Sequence, residues 1–246
     1  MLQQIPPSSR IAFSVLFLIW GIAYIVGMIV GRPEATPWRR LSPVAKIVMI
    51  GVTLAFGGIW WLGFARGTVA AAYAVWIMLG LTAGGVADLV LADLFPLEKP
   101  ELPAMGIFGI GHVLYIVAML TLRRLLGLRA GASLFAAALI SVAAGVLVWN
   151  FLIRNPEGSR RLNIGSLVYG ILLLLAAGLA IELAIEAGGM AILALGLSLF
   201  AVSDLILAQD LIRHRRFPLI RDVVWIIYST AQVMIAFSIG AALRLV

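Results

Sequence analysis

Two aspartates occur in nearly identical settings, 116 residues apart. Asp88 lies in the stretch VADLVLA (86–92), and Asp204 lies in VSDLILA (202–208). Both stretches belong to long apolar runs, where an ionisable side chain costs at least ~2.5–3.5 kcal/mol to insert into a membrane. A buried aspartate can simply join helices by a hydrogen bond to a neighbouring Tyr or Ser. Because the insertion cost occurs twice in the same local sequence, the pattern favours a function for the two carboxyl groups.

Further polar side chains are expected at the same depth as the two aspartates. Counted from one membrane face at about 1.5 Å per residue, they fall in a single layer about 10 Å deep. A spacing of three residues places His112 and Tyr115 on one helix face, and a spacing of four places Tyr228 and Gln232 on another. The candidates beside the aspartates are His112, Tyr115, Tyr169, Ser203, Tyr228 and Gln232, and Lys46 and Arg161 are expected at the mouth. We therefore predict one cavity, lined by Asp88, His112, Asp204 and Tyr228, that opens toward a basic face.

The chemistry available to such a cavity is acid–base catalysis. Burial disfavours the ionised form of a carboxylic acid, and two neighbouring carboxyl groups differ further in their readiness to ionise. This combination suits acid-catalysed hydrolysis, with Asp88, His112 and Asp204 as the catalytic candidates. The chain contains no cysteine and two histidines, and it lacks the G-x-S-x-G, P-loop and H-E-x-x-H motifs. We therefore expect no metal and no organic cofactor.

The elements that would position these residues are membrane-spanning helices. The chain is 63% hydrophobic and 12% charged, whereas ordinary globular chains are about a quarter charged. Uninterrupted apolar runs of about 20 residues match helices that cross the hydrocarbon, and β-barrel strands are shorter. Eight runs are visible, at 11–31, 43–64, 68–95, 104–122, 131–153, 161–182, 188–210 and 219–244. The sequence predicts an all-α membrane protein, an eight-transmembrane-helix bundle forming one integral membrane domain over residues 1–246.

The offset of 116 residues extends beyond the two aspartates. It also aligns Thr82 with Ser198 and His112 with Tyr228, and it aligns the first four apolar runs with the last four. A shift by four helices preserves the direction through the membrane. We therefore predict two parallel four-helix repeats, covering residues 11–122 and 127–244.

Basic residues predict the orientation in the membrane. Twelve of the 18 lysines and arginines fall in the loops after helices 1, 3, 5 and 7, which predicts that these loops are cytoplasmic. The localisation expected is an integral, multi-pass position in the cytoplasmic membrane, if the source is bacterial. The net charge of +7 is then a feature of insertion and of contact with anionic lipid headgroups, and it implies no nucleic acid. Glu182 and Glu186 are expected in a hydrated loop at the opposite face.

Four segments carry the polar residues of the predicted site: ADLVL (87–91), FGIGHVLY (108–115), GLSLFAVSDLILA (196–208) and YSTAQ (228–232). They resemble the signatures of the YhhN family of membrane proteins, which includes the lysoplasmalogenases. Two positions depart from the family pattern: Ala87 stands where a glycine is expected, and Ile47, in place of proline, follows Lys46. Neither departure removes a titratable group of the predicted site.

The resemblance implies hydrolysis of the vinyl ether bond of a lysoplasmalogen, which releases a fatty aldehyde and a glycerophospho-base. The substrate would be a lysophospholipid, contacted by Lys46, Tyr115, Tyr169, Ser203, Tyr228 and Gln232. One neutral aspartate would protonate the vinyl ether, and the other, ionised, would stabilise the cation, with His112 orienting or deprotonating water. Asp204 is favoured as the acid, because Ser203 and Tyr228 are expected close to it.

Two other classes of function fit the same residues. A proton-coupled transporter or a lipid-binding membrane protein would use the two aspartates as a proton relay, and parallel repeats occur in transporters. Against transport, none of the runs has the Gly/Pro-interrupted middle that is typical of discontinuous transport helices. The second alternative is an inactive family member that serves as a lipid-responsive scaffold.

Overall fold

The structure is a computed structural model that describes residues 6–31, 38–92 and 97–246. Within these ranges the chain forms eight helices, each long and apolar enough to span a membrane. They are α1 (Pro7–Val30), α2 (Pro43–Trp60), α3 (Ala71–Leu91), α4 (Glu101–Leu125), α5 (Ala132–Val148), α6 (Arg160–Ala187), α7 (Ala191–Leu211) and α8 (Ile220–Ala242). Single π-helical turns, Trp61–Ala65 and Trp149–Ile153, extend α2 and α5. The predicted class, an all-α bundle of eight apolar helices, is confirmed.

Local sequence explains where the helices begin and end. Proline is the first residue of α1 and of α2, where its missing N–H leaves no intrahelical bond unmade. The Ser42 hydroxyl caps α2 by accepting a hydrogen bond from the Ala45 amide at 3.2 Å. Gly188 ends α6 with φ of +58°, a left-handed conformation that glycine adopts without a steric penalty. Helix α3 ends at Leu91, and the predicted continuation through 93–95 lies outside the described residues.

Helix α8 occupies the centre of the bundle. In its most apolar 18-residue window 67% of the residues are buried, whereas the corresponding value for α1 and for α5 is 11%. Helix α8 packs on α7, α2 and α3, while α4 packs on α3 and α6. The helices that carry the candidate residues therefore surround the interior, and α1 and α5 lie at the periphery. The pairs α3–α4 and α7–α8 both pack extensively, as the proposed repeat requires, and the repeat itself stays a prediction.

A buried ionic cluster joins α4 and α6 at the end of the bundle away from the two aspartates. Arg123 Nη1 lies 2.6 Å from Glu182 Oε2, and Arg123 Nη2 lies 3.0 Å from Glu186 Oε2. Ser133, on α5, donates to either glutamate. The expectation that Glu182 and Glu186 lie in a hydrated loop is wrong: both belong to α6, and their carboxylates are held by a buried arginine that the sequence offered no reason to pair with them.

Candidate functional site

Asp88 ends a directional chain of hydrogen bonds that runs from α4 through α8 to α3. The Tyr115 hydroxyl donates to Gln232 Oε1 at 3.1 Å, and Gln232 Nε2 donates to the Tyr228 hydroxyl at 2.6 Å. Tyr228 in turn donates to Asp88 Oδ2 at 2.8 Å. The i,i+4 spacing of Tyr228 and Gln232 on α8 accounts for their contact. The Tyr228 hydroxyl thus accepts a hydrogen bond from Gln232 and directs its own hydrogen at the carboxyl group of Asp88.

Asp204 is held by a separate set of partners on α6, α7 and α4. The Tyr169 hydroxyl donates to Asp204 Oδ2, and Ser203 Oγ lies 3.2 Å from Asp204 Oδ1. His112 Nε2 lies 3.3 Å from the Tyr169 oxygen. Because the tyrosine hydrogen is directed at Asp204, Nε2 must carry the proton and donate. The Nδ1 atom of His112 is buried and has no hydrogen-bond partner among the described residues.

Ser203 can support Asp204 in either protonation state. Its hydroxyl donates to the Phe200 carbonyl at 2.7 Å, a common bond for a serine inside a helix. While that bond is made, the serine oxygen can accept a hydrogen from a protonated Asp204. When Asp204 is ionised, the serine hydrogen can turn to Oδ1. A hydroxyl is both donor and acceptor, so this contact survives proton transfer.

The two aspartates line one cavity of about 100 Å³, which we call the polar cavity. Tyr228, Trp225 and Phe108 contribute aromatic walls, and three basic residues, Arg39, Lys46 and Arg221, lie on the same lining. The predicted convergence of Asp88, Asp204 and Tyr228 on a single basic cavity therefore matches the geometry.

Buried carboxylates hold the basic side of the polar cavity in place. Asp210, fully buried at the end of α7, pairs with Arg216 and also with Arg221, whose Nε lies 2.7 Å from Oδ2. Asp222, in the first turn of α8, accepts hydrogen bonds from the backbone amides of residues 40 and 41 at 2.7 and 2.9 Å. Neither aspartate was predicted to matter. Both lie near arginine-rich loops in the sequence, which is only a weak indication of an ion pair. An aspartate and an arginine in the same loop do not have to contact each other.

Lys46 lies where the sequence predicts it, at the edge of the polar cavity. Its Nζ is 5.0 Å from the centroid of the Trp225 ring, a cation–π distance. The ammonium group is a donor that a substrate anion could engage.

A second space adjoins the polar cavity on its α5–α6 side. We call this space, of about 190 Å³, the apolar chamber. It lies among α4, α5, α6 and α7, and its lining includes Gly145, Val148, Tyr169, Gly170 and Leu173. The polar cavity and the apolar chamber share five lining residues: Leu91, Phe108, Asp204, Leu207 and Leu211. Asp204 is thus the titratable group at the boundary between the two spaces.

Three expectations about the site differ from the geometry. His112 is fully buried and lies behind Tyr169, so it does not line the polar cavity. Tyr228 donates to Asp88, whereas the sequence-based prediction placed it beside Asp204. Arg161 is exposed at the start of α6 and is not part of the cavity lining, where Arg39 and Arg221 are found instead. All three positions depend on how each helix is rotated about its own axis. This rotation cannot be deduced from the spacing of residues along a single helix.

The fold and the site together define a helical multi-pass membrane protein with two carboxyl groups between its helices, of which Asp88 is buried and Asp204 is partly buried. A family model confirms the resemblance noted from the motifs. The chain belongs to the YhhN family, whose model matches residues 53–239 and so covers Asp88, Asp204 and the side chains that form hydrogen bonds to them. No curated protein and no solved structure matches the chain significantly.

Proposed function

We propose that this protein hydrolyses the vinyl ether bond of lysoplasmalogens, releasing a fatty aldehyde and a glycerophospho-base. Membership of the YhhN family supports a hydrolase of this type. The observation that carries the proposal is the position of Asp204, between a basic, polar cavity and an apolar chamber. A single-chain phospholipid has the same division: an anionic headgroup, one aliphatic chain, and the ether bond between them.

Asp204 is the general acid in this proposal. Hydrolysis of a vinyl ether begins with protonation of its β-carbon, which belongs to the aliphatic chain. Asp204 lines the chamber proposed for that chain, whereas Asp88 lines the polar cavity and is absent from the lining of the chamber. Ser203 and Tyr169 hold the two oxygens of Asp204, so the group is fixed before and after it gives up its proton. General acid catalysis of this kind contributes about 10²–10⁴-fold.

Asp88 acts as the ionised partner. It shares the polar cavity with Lys46 and Arg221, and nearby positive charges favour the ionised form of a carboxyl group. Protonation of the β-carbon leaves a positive charge shared between the α-carbon and the ether oxygen. A carboxylate held in place by Tyr228 stabilises this cation without having to reorient during the reaction.

Water completes the reaction. It adds to the α-carbon of the cation, and its released proton returns to the Asp204 carboxylate, which has changed from acid to base. The resulting hemiacetal breaks its bond to the glycerol oxygen, that oxygen takes the hemiacetal proton, and aldehyde and alcohol leave. His112 does not contact the cavity, so its role here is to orient Tyr169, which orients Asp204. No metal or organic cofactor enters these steps.

The proposal extends to the substrate and to the orientation in the membrane. Lys46, Arg39 and Arg221 would contact the phosphate of a lysophospholipid drawn from the membrane, since charged donors bind phosphate strongly. The loops after helices 1, 3, 5 and 7 carry most of the basic residues, so we place this side of the bundle in the cytoplasm.

A three-substrate comparison in heavy water tests the proposal. Purified protein in detergent micelles is incubated with matched 1-alkenyl, 1-acyl and saturated 1-alkyl lysophospholipids. The expected product is aldehyde from the alkenyl lipid alone, with one solvent deuterium at carbon 2, because the acid exchanges with solvent before it protonates the β-carbon. Authentic aldehyde kept in the same heavy water controls for later exchange. Fatty acid from the acyl lipid, or binding of all three lipids without any product, would overturn the proposed reaction, and the second outcome would favour a lipid-binding protein.

A further inference from the structure

We propose that the apolar chamber binds the aliphatic chain of a single-chain lipid and that Gly170 sets the chain length it accepts. This inference rests on the proposed function for the identity of the headgroup. It assigns a separate property, chain-length selection, to residues outside the pair of carboxyl groups.

The chamber has the composition that an alkyl chain requires. Its walls are mainly aliphatic and aromatic side chains from α4 to α7, Glu101 and Ser166 are the further polar residues on the lining, and Asp204 and its partner Tyr169 lie next to the polar cavity. The basic residues Lys46 and Arg221 lie on the opposite side of that boundary. A ligand that fills both spaces therefore has an anionic end and an apolar end on the two sides of Asp204.

Gly170 is the position at which a side chain would enter the chamber. It is buried on α6 and lines the chamber, and a Cβ built on it meets no atom within 4 Å. Buried positions next to open space are uncommon, because protein interiors are close-packed. The volume at Gly170 is thus left free by the absence of a side chain.

The first half of the chain provides a natural comparison. The offset of 116 residues that aligns Asp88 with Asp204 also aligns Leu54 with Gly170. Leu54 lines the small cavity beside Asp88, which has a volume of about 20 Å³, against about 190 Å³ for the chamber beside Asp204. Leucine therefore stands where the space is small and glycine where it is large. The difference identifies the second half as the one that receives the chain.

Gly170→Leu is the test variant, and Gly106→Leu is its matched control. Gly106 is an exposed glycine inside α4 whose added Cβ also meets nothing within 4 Å, and both changes replace a helical glycine with a good helix former. Gly106 lines a different space, the outer groove between α4 and α6. The pair therefore distinguishes a chain in the chamber from a chain in the groove.

Binding is measured with saturated 1-alkyl lysophospholipids of increasing chain length, which contain no vinyl ether, by displacement of a spin-labelled lysophospholipid in micelles. Because the chains start from an apolar micelle and not from water, the affinity should rise by less than the about fourfold per methylene that transfer from water gives, and it should stop rising when the chamber is full. Gly170→Leu should reach its plateau at a shorter chain, and Gly106→Leu should match the unaltered protein. Equal profiles for Gly170→Leu and the unaltered protein, or a shift in Gly106→Leu alone, would overturn the assignment. If Gly170→Leu shows the expected effect but alkenyl lipids yield no aldehyde, the proposed hydrolysis is wrong, and the proposed binding of the chain in the apolar chamber is supported.

Discussion

Asp88 and Asp204 line one cavity, but their tyrosine donors occupy positions that the 116-residue offset does not align. Tyr228 on α8 donates to Asp88, and the residue aligned with Tyr228 by the 116-residue offset is His112. His112 does not contact Asp204; it contacts Tyr169, which donates to Asp204 in its place. The two carboxyl groups therefore have different surroundings despite their matched sequences, and different surroundings are the condition for dividing the roles of acid and ionised partner.

Replacing either aspartate by asparagine tests whether the carboxyl groups perform chemistry. Asp88→Asn and Asp204→Asn should fold, because the amide has nearly the same volume and still forms hydrogen bonds. The value of kcat for aldehyde release should fall at least about a hundredfold in each. If the aspartates only join helices, the asparagine variants should be nearly silent, since such bonds average about 0.6 kcal/mol, and Asp→Leu variants should disturb assembly instead. Near-normal turnover in both asparagine variants would remove the carboxyl groups from the mechanism.

Removing the two tyrosine hydroxyls should slow the reaction without unfolding the protein. Tyr169→Phe and Tyr228→Phe each delete one hydrogen bond to a carboxyl group, and bonds to charged groups contribute about 1.5–3 kcal/mol. That corresponds to a loss of about tenfold to 150-fold in kcat. Tyr73→Phe is the control, because Tyr73 is a buried tyrosine whose hydroxyl bonds to Ser238 at 2.7 Å and not to a carboxyl group. A control variant as slow as the other two would show that the loss comes from packing.

The role of His112 can be separated from that of a catalytic base by a double-mutant cycle. His112→Phe keeps a ring against Phe200, whose centroid is 4.7 Å from that of His112, and deletes the hydrogen bond to Tyr169. We expect a modest fall in kcat, and no further fall when His112→Phe is added to Tyr169→Phe, because the two residues act in series. The shape of the pH–rate profile should be unchanged. Additive losses, or the disappearance of one limb of the profile, would instead indicate that His112 exchanges protons with the substrate or water.

Lys46 should affect substrate binding more than turnover. In Lys46→Met the headgroup phosphate loses a charged donor, and KM should rise at least about tenfold with little change in kcat. The control is Lys99→Met, which removes the same charge from an exposed residue between α3 and α4. A lysolipid analogue without phosphate should show equal KM values for the unaltered protein and for Lys46→Met. A large fall in kcat for Lys46→Met would place this ammonium group at the reacting bond.

The ionic cluster of Arg123, Glu182 and Glu186 should support stability alone. Arg123→Met leaves Glu182 buried without its partner, and breaking a buried pair in this way costs about 3–5 kcal/mol. The midpoint of thermal unfolding in micelles should fall, whereas kcat measured on the folded fraction at low temperature should be unchanged. The combined variant Arg123→Met, Glu182→Leu should recover much of the lost stability, because no fully buried charge remains unpaired and Glu186 is partly exposed to solvent. A fall in kcat at full stability would connect this end of the bundle to the site.

The sequence by itself determined the class and the number of helices. Both follow from one-dimensional quantities, the length and the composition of an apolar run. Counting along the runs also brought Asp88, Asp204 and Tyr228 together in one cavity, and the 3.6-residue period paired Tyr228 with Gln232.

Tertiary structure decided which residue faces which. The rotation of each helix depends on its packing against several neighbours, and this information is spread over the whole chain. Because of these rotations, His112 does not line the polar cavity, Tyr169 donates a hydrogen bond to Asp204, and Tyr228 donates one to Asp88. It also paired Arg123 with Glu182, 59 positions away. The apolar chamber could not be read from the sequence at all, since it exists because α6 presents Gly170 to a space that α4, α5 and α7 leave unfilled. A void is a property of the packed helices together, and no single segment encodes it.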